Sequence, residues 1–320
     1  MAAHYLEFER PIADLEAKIE ELSRLSETAS PGSLDEEIAA LRARAQEMRR
    51  EAYENLDAWQ KTQVARHPER PHFVDYCASL IDDFQELRGD RAFADDQAIM
   101  GGLGRFRGMP VVIMGHEKGR DTVGRVKHNF GYARPEGYRK AIRLMELAER
   151  FNLPVITLVD TAGAYPGVAS EERGVAEAIA RSTEKFLMLE TPNGAVIIGE
   201  GGSGGAIAIA AASRVLILEH AIYSVIAPEG ANSILWRGAR TAGEAAKAMK
   251  ITAQDLERMK IVDRIIPEPA GGAHSDPEAA IKAVGDAIEE ELKVLLQLDA
   301  ATLKAQRAER FYAIGKSGLQ

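Results

Sequence analysis

Between two apolar stretches of this chain lies Gly199-Glu200-Gly201-Gly202-Ser203-Gly204-Gly205, with five glycines in seven positions. No other segment limits the possible folds as tightly. The run before it, Gly194–Ile198, reads as a buried strand, and the alanine-rich Ser203–Ala212 after it reads as a helix. Glycine lets a backbone turn sharply and lets other atoms approach it closely, while a helix start leaves amide N–H groups without partners. A second turn, Asp160-Thr161-Ala162-Gly163-Ala164-Tyr165-Pro166-Gly167, follows the unbroken apolar run Pro154–Val159. Such a run suits a strand buried on both faces. Strand-to-helix joints with free amides stabilise negative charge, whether on a phosphate or on a developing oxyanion. A tight connection alone accounts for one glycine, not for five.

The surrounding pattern is α/β. Ile12, Leu15, Ile19, Leu22 and Leu25 form one helical stripe, and Leu34, Ile38, Leu41, Ala45, Met48, Ala52 and Trp59 a second, separated by Ser26–Ser33 with its Pro31-Gly32. Residues 1–70 therefore read as an antiparallel helical hairpin, either a cap on a larger domain or a surface for another subunit. Residues 71–320 read as the main domain. Ala98–Phe106 and Val111–Gly115 form a hairpin through Arg107-Gly108. Helices follow at Pro135–Phe151 and Glu171–Leu189, then strands at Arg214–Leu218 and Ile222–Ile226. Short helices at Glu229–Trp236, Ala242–Met249 and Ala253–Lys260 precede a strand at Ile261–Ile266 and the loop Pro267–His274. Asp276-Pro277 opens a long C-terminal helix. The order points to layers rather than a barrel.

Composition narrows the function classes. With 46% hydrophobic residues, the chain of 320 can bury a sizeable core, which excludes disorder for most of it. No apolar run reaches the roughly 18 residues of a membrane-spanning helix. The charged N-terminus, MAAHYLEFERP, lacks the apolar core of an export signal, so a cytoplasmic location is expected. A single cysteine, Cys77, excludes a disulfide framework and a Cys-based zinc site within the chain. The net charge of −9 argues against nonspecific nucleic-acid binding.

Spacing alone leaves the chemistry of the glycine-rich joint open. Gly199, Gly201 and Gly204 fit G-x-G-x-x-G, with Glu219 near the place where a dinucleotide enzyme holds ribose hydroxyls. Gly201, Ser203 and Gly205 fit G-x-S-x-G, with Asp263 and His274 in triad order. The first pattern implies a nicotinamide oxidoreductase, the second a serine hydrolase. Pattern matching does not choose between them.

Longer motifs do. Asn129-Phe130-Gly131, Pro135-Glu136-Gly137-Tyr138-Arg139-Lys140-Ala141, the two glycine-bearing turns, Tyr223–Gly230 and Ile266-Pro267-Glu268-Pro269 together resemble one family. Phe8-Glu9-Arg10-Pro11-Ile12 and Ala65-Arg66-His67-Pro68 extend the likeness nearly end to end. The chain resembles the alpha subunits of bacterial multi-subunit acetyl-coenzyme A carboxylase carboxyltransferases. Ala162 departs from the family, which usually has proline there; the change loosens a preset backbone angle without removing a donor.

The resemblance implies a crotonase-type fold of stacked ββα units, with the N-terminal hairpin and a C-terminal helix added. It implies transfer of a carboxyl group from carboxybiotin to acetyl-CoA, giving malonyl-CoA for fatty acid synthesis. Biotin would arrive on a separate biotin carboxyl carrier protein, loaded by a biotin carboxylase, and none would be attached here. A beta subunit with a zinc ribbon would supply most of the coenzyme A site, in an alpha2beta2 assembly. On this reading backbone amides of Gly204 and Gly205, with Gly163 and Ala164, form the oxyanion site. Gly201, Gly202, Ser203, Tyr165 and Pro166 would line the biotin side, with Ser203 capping a helix. Biotin's own nitrogen would act as base, so no Asp/Glu/His dyad is required. Lys118–Arg143 carries eight Lys/Arg against Asp121 and Glu136, a basic patch suited to coenzyme A phosphates or an acidic carrier. His67, His116, His128 and His274 lack metal-ligand spacing.

Overall fold

The computed structural model describes residues 4–28 and 34–316, so the expected break at Pro31-Gly32 lies outside the described residues. Helices α1 (Arg10–Thr28) and α2 (Asp35–Glu54) pack through Ile19, Ile38 and Ala45. Arg49 near the end of α2 pairs with Glu16 near the start of α1, which fixes the antiparallel sense. Trp59 does not continue α2. Asp57 accepts from the amides of Trp59 and Gln60, each at 2.8 Å, and starts a new helix, α3 (Ala58–Ala65).

After α4 (Phe73–Leu80) comes a strand the sequence does not announce, β1 (Ile81–Glu86). Its residues, IDDFQE, lack the apolar alternation of a half-buried strand, because β1 is the sheet's edge. It presses close to β2 (Ile99–Phe106), where a side chain at Gly102 would overlap the Gln85 carbonyl. The hairpin to β3 (Met109–His116) turns at Arg107 and Gly108, both at positive φ (49° and 81°), as a two-residue hairpin turn requires. Then follow α5 (Thr122–Lys127), α6 (Pro135–Phe151), the fully buried β4 (Val155–Thr161), α7 (Val168–Glu172) and α8 (Val175–Met188). The sequence suggests one helix for the last two. Gly174, at φ 74°, separates them.

The next elements are β5 (Asn193–Gly202), α9 (Ser203–Ile207), β6 (Arg214–Leu218), β7 (Ile222–Ser224), α10 (Pro228–Trp236), α11 (Ala242–Met249), α12 (Ala253–Arg258) and β8 (Arg264–Ile266). The long C-terminal helix opened by Asp276-Pro277 is α13 (Pro277–Leu295), and a further helix that the sequence does not announce, α14 (Ala300–Ala313), capped by Asp299, follows it. The sheet runs β1-β2-β3-β4-β5-β6-β8, with β7 beside the far end of β5. Pairs β1–β2 and β2–β3 are antiparallel, the rest parallel. Helix α6 packs on β2, β3 and α8, and α13 lies against β5 and β8. Among the described residues no helix is long and apolar enough to cross a membrane.

Two buried arginines lock the outlying segments onto this sheet. Arg70 pairs twice with Glu268, at 2.8 and 2.9 Å, and donates to the Ile198 carbonyl of β5 at 2.9 Å. Arg307 of α14 donates to the carbonyls of Leu187 and Leu189 at the end of α8, at 2.8 and 2.7 Å, a cation at a helix C-terminus. Burial alone would raise the Glu268 pKa, but Arg70 outweighs it and holds the carboxyl down at about 2. A depressed carboxyl adds stability above its unfolded pKa and loses it as pH falls through the folded value. Stability should therefore decline between about pH 4.5 and about pH 2, and Glu268→Gln should flatten that decline. The same variant, leaving Arg70 buried without its counter-ion, should lose about 3–5 kcal/mol at neutral pH. Thermal melts of both proteins across the pH range measure each effect; an unchanged melting temperature at pH 7 would remove Arg70–Glu268 as a structural lock.

Candidate functional site

Parallel pairing of β4 and β5 sets Thr161 opposite Gly201, so the two glycine-bearing segments leave the sheet side by side. The sequence places a turn at Gly199–Gly205; in the structure its first part is strand, and the helix begins at Ser203. Each glycine there has its own neighbour. A Cβ on Gly199 would lie 2.6 Å from the Asp160 carboxylate, and one on Gly201 2.9 Å from the Tyr223 ring. A Cβ on Gly202 would overlap the Ala162 backbone. One on Gly205 would come within 2.7 Å of the Gly163 carbonyl carbon and 3.0 Å of the Ala164 nitrogen. Gly204 differs: its Cβ direction meets only the methyl groups of Ile179, at 3.4 Å. Thus Gly202 and Gly205 are glycine because the other turn's backbone occupies the space a side chain would take.

The donors are now distinguishable. The amides of Gly204 and Gly205 sit in the first turn of α9, where a helix offers no acceptor. Gly163 does not match them, because its N–H is spent on the Thr161 hydroxyl at 3.0 Å. Ala164 pairs with Ala133 as an isolated bridge, and the Tyr165 amide donates to the Ala133 carbonyl at 2.9 Å. The Tyr165 ring lies under the Arg134 guanidinium, 4.6 Å away, and Pro166 is exposed. Ser203 does not cap α9. The N-cap is Gly202, without a side-chain hydrogen bond, and Ser203 itself is exposed at φ 56°. Its backbone lies in the left-handed region, uncommon for a residue with a side chain.

Two cavities meet here. A Cβ on Gly163 would lie 3.9 Å from both Tyr132 and Ser203, and each residue lines a different cavity. On the Tyr132 side is a polar cavity of about 430 Å³, bordered by Ala162, Asp160, Lys118, Arg66 and Glu200. On the Ser203 side is an apolar groove of about 380 Å³, floored by Ser203 and Gly204 and walled by Ile207, Tyr223, Val225 and Phe311. Sequence reading missed Phe311 because it lies on α14, brought here by the Arg307 anchor.

Charge in the polar cavity is paired except at Arg125, which borders it without an ion-pair partner among the described residues. Lys118 Nζ lies 2.6 Å from Asp160, which also accepts from the Glu200 amide at 2.8 Å. Burial raises the Asp160 pKa, but Lys118 and that amide more than offset it, so the carboxylate stays ionised. Glu200 in turn pairs with Arg66 at 2.7 Å. His116, buried at the end of β3, is pushed down to about pKa 3 by desolvation and is neutral. Half of the basic window is matched: besides Lys118, Arg120 pairs with Asp75, Arg139 with Glu136 at 3.9 Å and Lys140 with Asp95 at 2.6 Å.

The remaining sequence candidates fall elsewhere. Asp263 accepts from the Val215 amide and pairs with Arg310 at 2.9 Å. His274 stacks on His67, with ring centroids 3.7 Å apart. Among the described residues neither hydrogen-bonds Ser203, so no triad forms. Glu219 accepts from the Glu268 amide at 3.2 Å. The fold does bring Glu9, His67 and His274 together, with possible ligand atoms within 4.8 Å, which sequence spacing could not show. Glu9 and His67 already have partners: the Tyr53 hydroxyl and Leu6 amide donate to Glu9 at 2.7 Å each, and His67 Nε2 pairs with the His4 carbonyl at 2.8 Å, while His274 Nδ1 has none. The cluster fastens the N-terminal segment to the body.

Comparison with known proteins agrees with this geometry. A family profile described as "Acetyl co-enzyme A carboxylase carboxyltransferase-like" matches residues 5–315. The acetyl-coenzyme A carboxylase carboxyl transferase subunit alpha of Phenylobacterium zucineum is 91% identical over 100% of both chains. That of Caulobacter sp. strain K31 is 75% identical, again over 100% of both. Among solved structures, transcarboxylase 12S superposes with a TM-score of 0.58 at 19% identity, covering 71% of this chain and 42% of that one. A Pseudomonas malonate decarboxylase hetero-tetramer gives 0.55 at 17%, covering 68% and 88%. The structural likenesses establish the crotonase-type fold; the sequence likenesses go further, and this chain belongs to the alpha-subunit family of acetyl-coenzyme A carboxylase carboxyltransferases.

Proposed function

We propose that the joint between β5 and α9 is the oxyanion site of this chain's half of the carboxyltransferase, and that it faces biotin. Family membership establishes the reaction, transfer of a carboxyl group to acetyl-CoA to give malonyl-CoA. The assignment of residues rests on one observation: Ser203 and Gly204, in the first turn of α9, floor an apolar groove beside the seam where Gly205 meets Gly163 and Ala164. A ureido oxygen fits that place, because Gly204 offers no side chain toward it and the groove wall offers apolar surface for a ring. Biotin, brought on a separate biotin carboxyl carrier protein, supplies the carboxyl group and afterwards the nitrogen base for the acetyl methyl proton.

This chain's residues do the rest by position. The amides of Gly204 and Gly205 donate to the oxygen on which charge develops. The Ala164 amide lies across the seam from Gly205 as the next donor. Gly201 and Gly202 hold β5 against β7 and against the first turn, and Tyr165, held under Arg134, closes the end beside exposed Pro166. Asp160 and Lys118 brace β5 from behind and neutralise each other, so they need not exchange protons with substrate. A beta subunit with a zinc ribbon completes the coenzyme A side, in an alpha2beta2 complex served by biotin carboxylase in the cytoplasm. Residues 1–70 then form an accessory hairpin on a carboxyltransferase domain of residues 71–320.

Three measurements test this reading. Purified chain without its beta partner should form no malonyl-CoA from acetyl-CoA and carboxylated carrier; robust turnover by the single chain would refute the division of labour. A fluorophosphonate should leave Ser203 unlabelled, and Ser203→Ala should keep turnover within about an order of magnitude, whereas a nucleophile's loss costs far more. Gly205→Ala would push the two turns apart and misdirect a donor, so turnover should drop by about 10²–10³. Mass of the alpha–beta complex and acetyl-CoA affinity should stay as in the parent. Near-normal turnover in Gly205→Ala would place the donors elsewhere, and lost assembly would make Gly205 a purely structural residue.

A further inference from the structure

The segment leading into the first turn has the least ordinary surface in the molecule. Val123, Val126 and Phe130 stand in solvent, 78%, 63% and 51% exposed. Singly such residues need no account, but together they form a patch. Arg125 and Lys127 alternate with them. Among the described residues neither makes an ion pair, while Lys118 and Arg120 are matched by Asp160 and Asp75. The nearby Asp121 is turned to its own helix, accepting from the Gly124 amide at 2.6 Å. On a chain of net charge −9, this is a cationic, apolar exception.

The backbone presents the patch deliberately. Asn129, Phe130 and Gly131 all take positive φ, at 49°, 55° and 80°, a conformation that residues with side chains rarely adopt. It is held by the His128 Nδ1 contact with the Gln97 carbonyl at 2.6 Å and by Asn129 donating to Asp96 at 3.2 Å. The Gly131 carbonyl accepts from the Thr161 hydroxyl at 2.7 Å. Two residues on, Ala133 pairs with Ala164. Arg125 and Phe130 also border the polar cavity, beside Tyr132 and Ala162. The patch is therefore continuous with the mouth of the cavity and with the turn that carries the Ala164 amide.

We propose that this patch docks the protein domain that carries biotin, meeting an acidic surface with an apolar ridge on that domain. The inference rests on the function proposed above and names where its carrier lands. Charge and texture favour a protein over the phosphates of acetyl-CoA. Phosphates call for cations converging on a pocket, yet the cavity's own Lys118 and Arg66 are neutralised by Asp160 and Glu200. Arg125 is the one unpaired cation at the cavity's border, too few for a group of phosphates, and Lys127 stands outside between apolar side chains, as at a protein interface. From there an arm passing over Phe130 and Tyr132 leads to the seam at Gly163.

The test uses the alpha–beta complex, run from malonyl-CoA toward two biotin acceptors: the biotinylated carrier domain and free biocytin. The variants are Val126→Glu, Lys127→Glu and the pair combined, at positions that line neither cavity. The pair should raise KM for the carrier about tenfold or more, with biocytin turnover and the KM for malonyl-CoA within about twofold of the parent. In the parent, KM for the carrier should rise with salt, and in the paired variant it should rise less. Retained biocytin turnover also shows that the variant is folded. Equal losses with both acceptors, a raised KM for malonyl-CoA alone, or no change with either acceptor would each overturn the docking surface. If the parent complex carries no carboxyl group to either acceptor, the proposed function fails first, and this surface with it.

Discussion

The site depends on one close contact, the backbone of Gly202 and Gly205 lying directly on the backbone of Ala162, Gly163 and Ala164. Two segments can come this near only where neither carries a side chain into the seam. The contact fixes the direction of the first-turn amides of α9 relative to the Ala164 amide, with no side chain to flex between them. Preorganised amides of this kind stabilise developing charge without reorganising during reaction. The missing side chains therefore serve packing first, and the donation proposed for these amides would follow from that packing. Gly204 alone in the group meets no backbone, only the Ile179 methyl groups, and it borders the apolar groove.

Charges farther out hold the seam in register. Asp160 links the end of β4 to the Glu200 amide of β5, and Lys118 matches it from the end of β3. Arg70 reaches from the segment after α3 to the Ile198 carbonyl and to Glu268 beyond β8, so the N-terminal helices are tied to the strand that ends in the seam. Arg307 does the same from the other end of the chain, capping α8 and carrying Phe311 to the wall of the apolar groove. None of these residues lies in the seam itself. Their removal would act through geometry, since a buried charge left without its partner is costly.

The site's two cavities are unlike, and the difference suits a reaction between unlike partners. The apolar groove offers apolar surface for a ring. The polar cavity is lined by the ion pairs of Lys118 with Asp160 and of Arg66 with Glu200, with Arg125 unpaired at its border. The strained Asn129–Gly131 segment borders the polar cavity, bonds to the first turn through Thr161, and shows its apolar side chains outward.

Much of this was legible along the chain. The apolar run Pro154–Val159, the glycines after it, the helix Pro135–Phe151 and the long family motifs determine the α/β class, the family and the neighbourhood of the donors, because each is written in consecutive residues. Edge strand β1 was not legible: a strand with one exposed side and a bulge keeps no apolar alternation. The split of α7 from α8 at Gly174 was equally hidden, because a glycine within a helical pattern can be tolerated or can break it. Only the tertiary structure decided which amides are free. Gly163 looked like a donor until Thr161 was seen to take its N–H, and Ser203 looked like a cap until its φ was known. Only the structure showed that Gly205 answers to Ala164, or that Phe311 reaches Gly204 from more than a hundred residues away. Local sequence specifies what a segment can become; which of its polar groups stay unspent depends on neighbours that arrive from elsewhere in the chain.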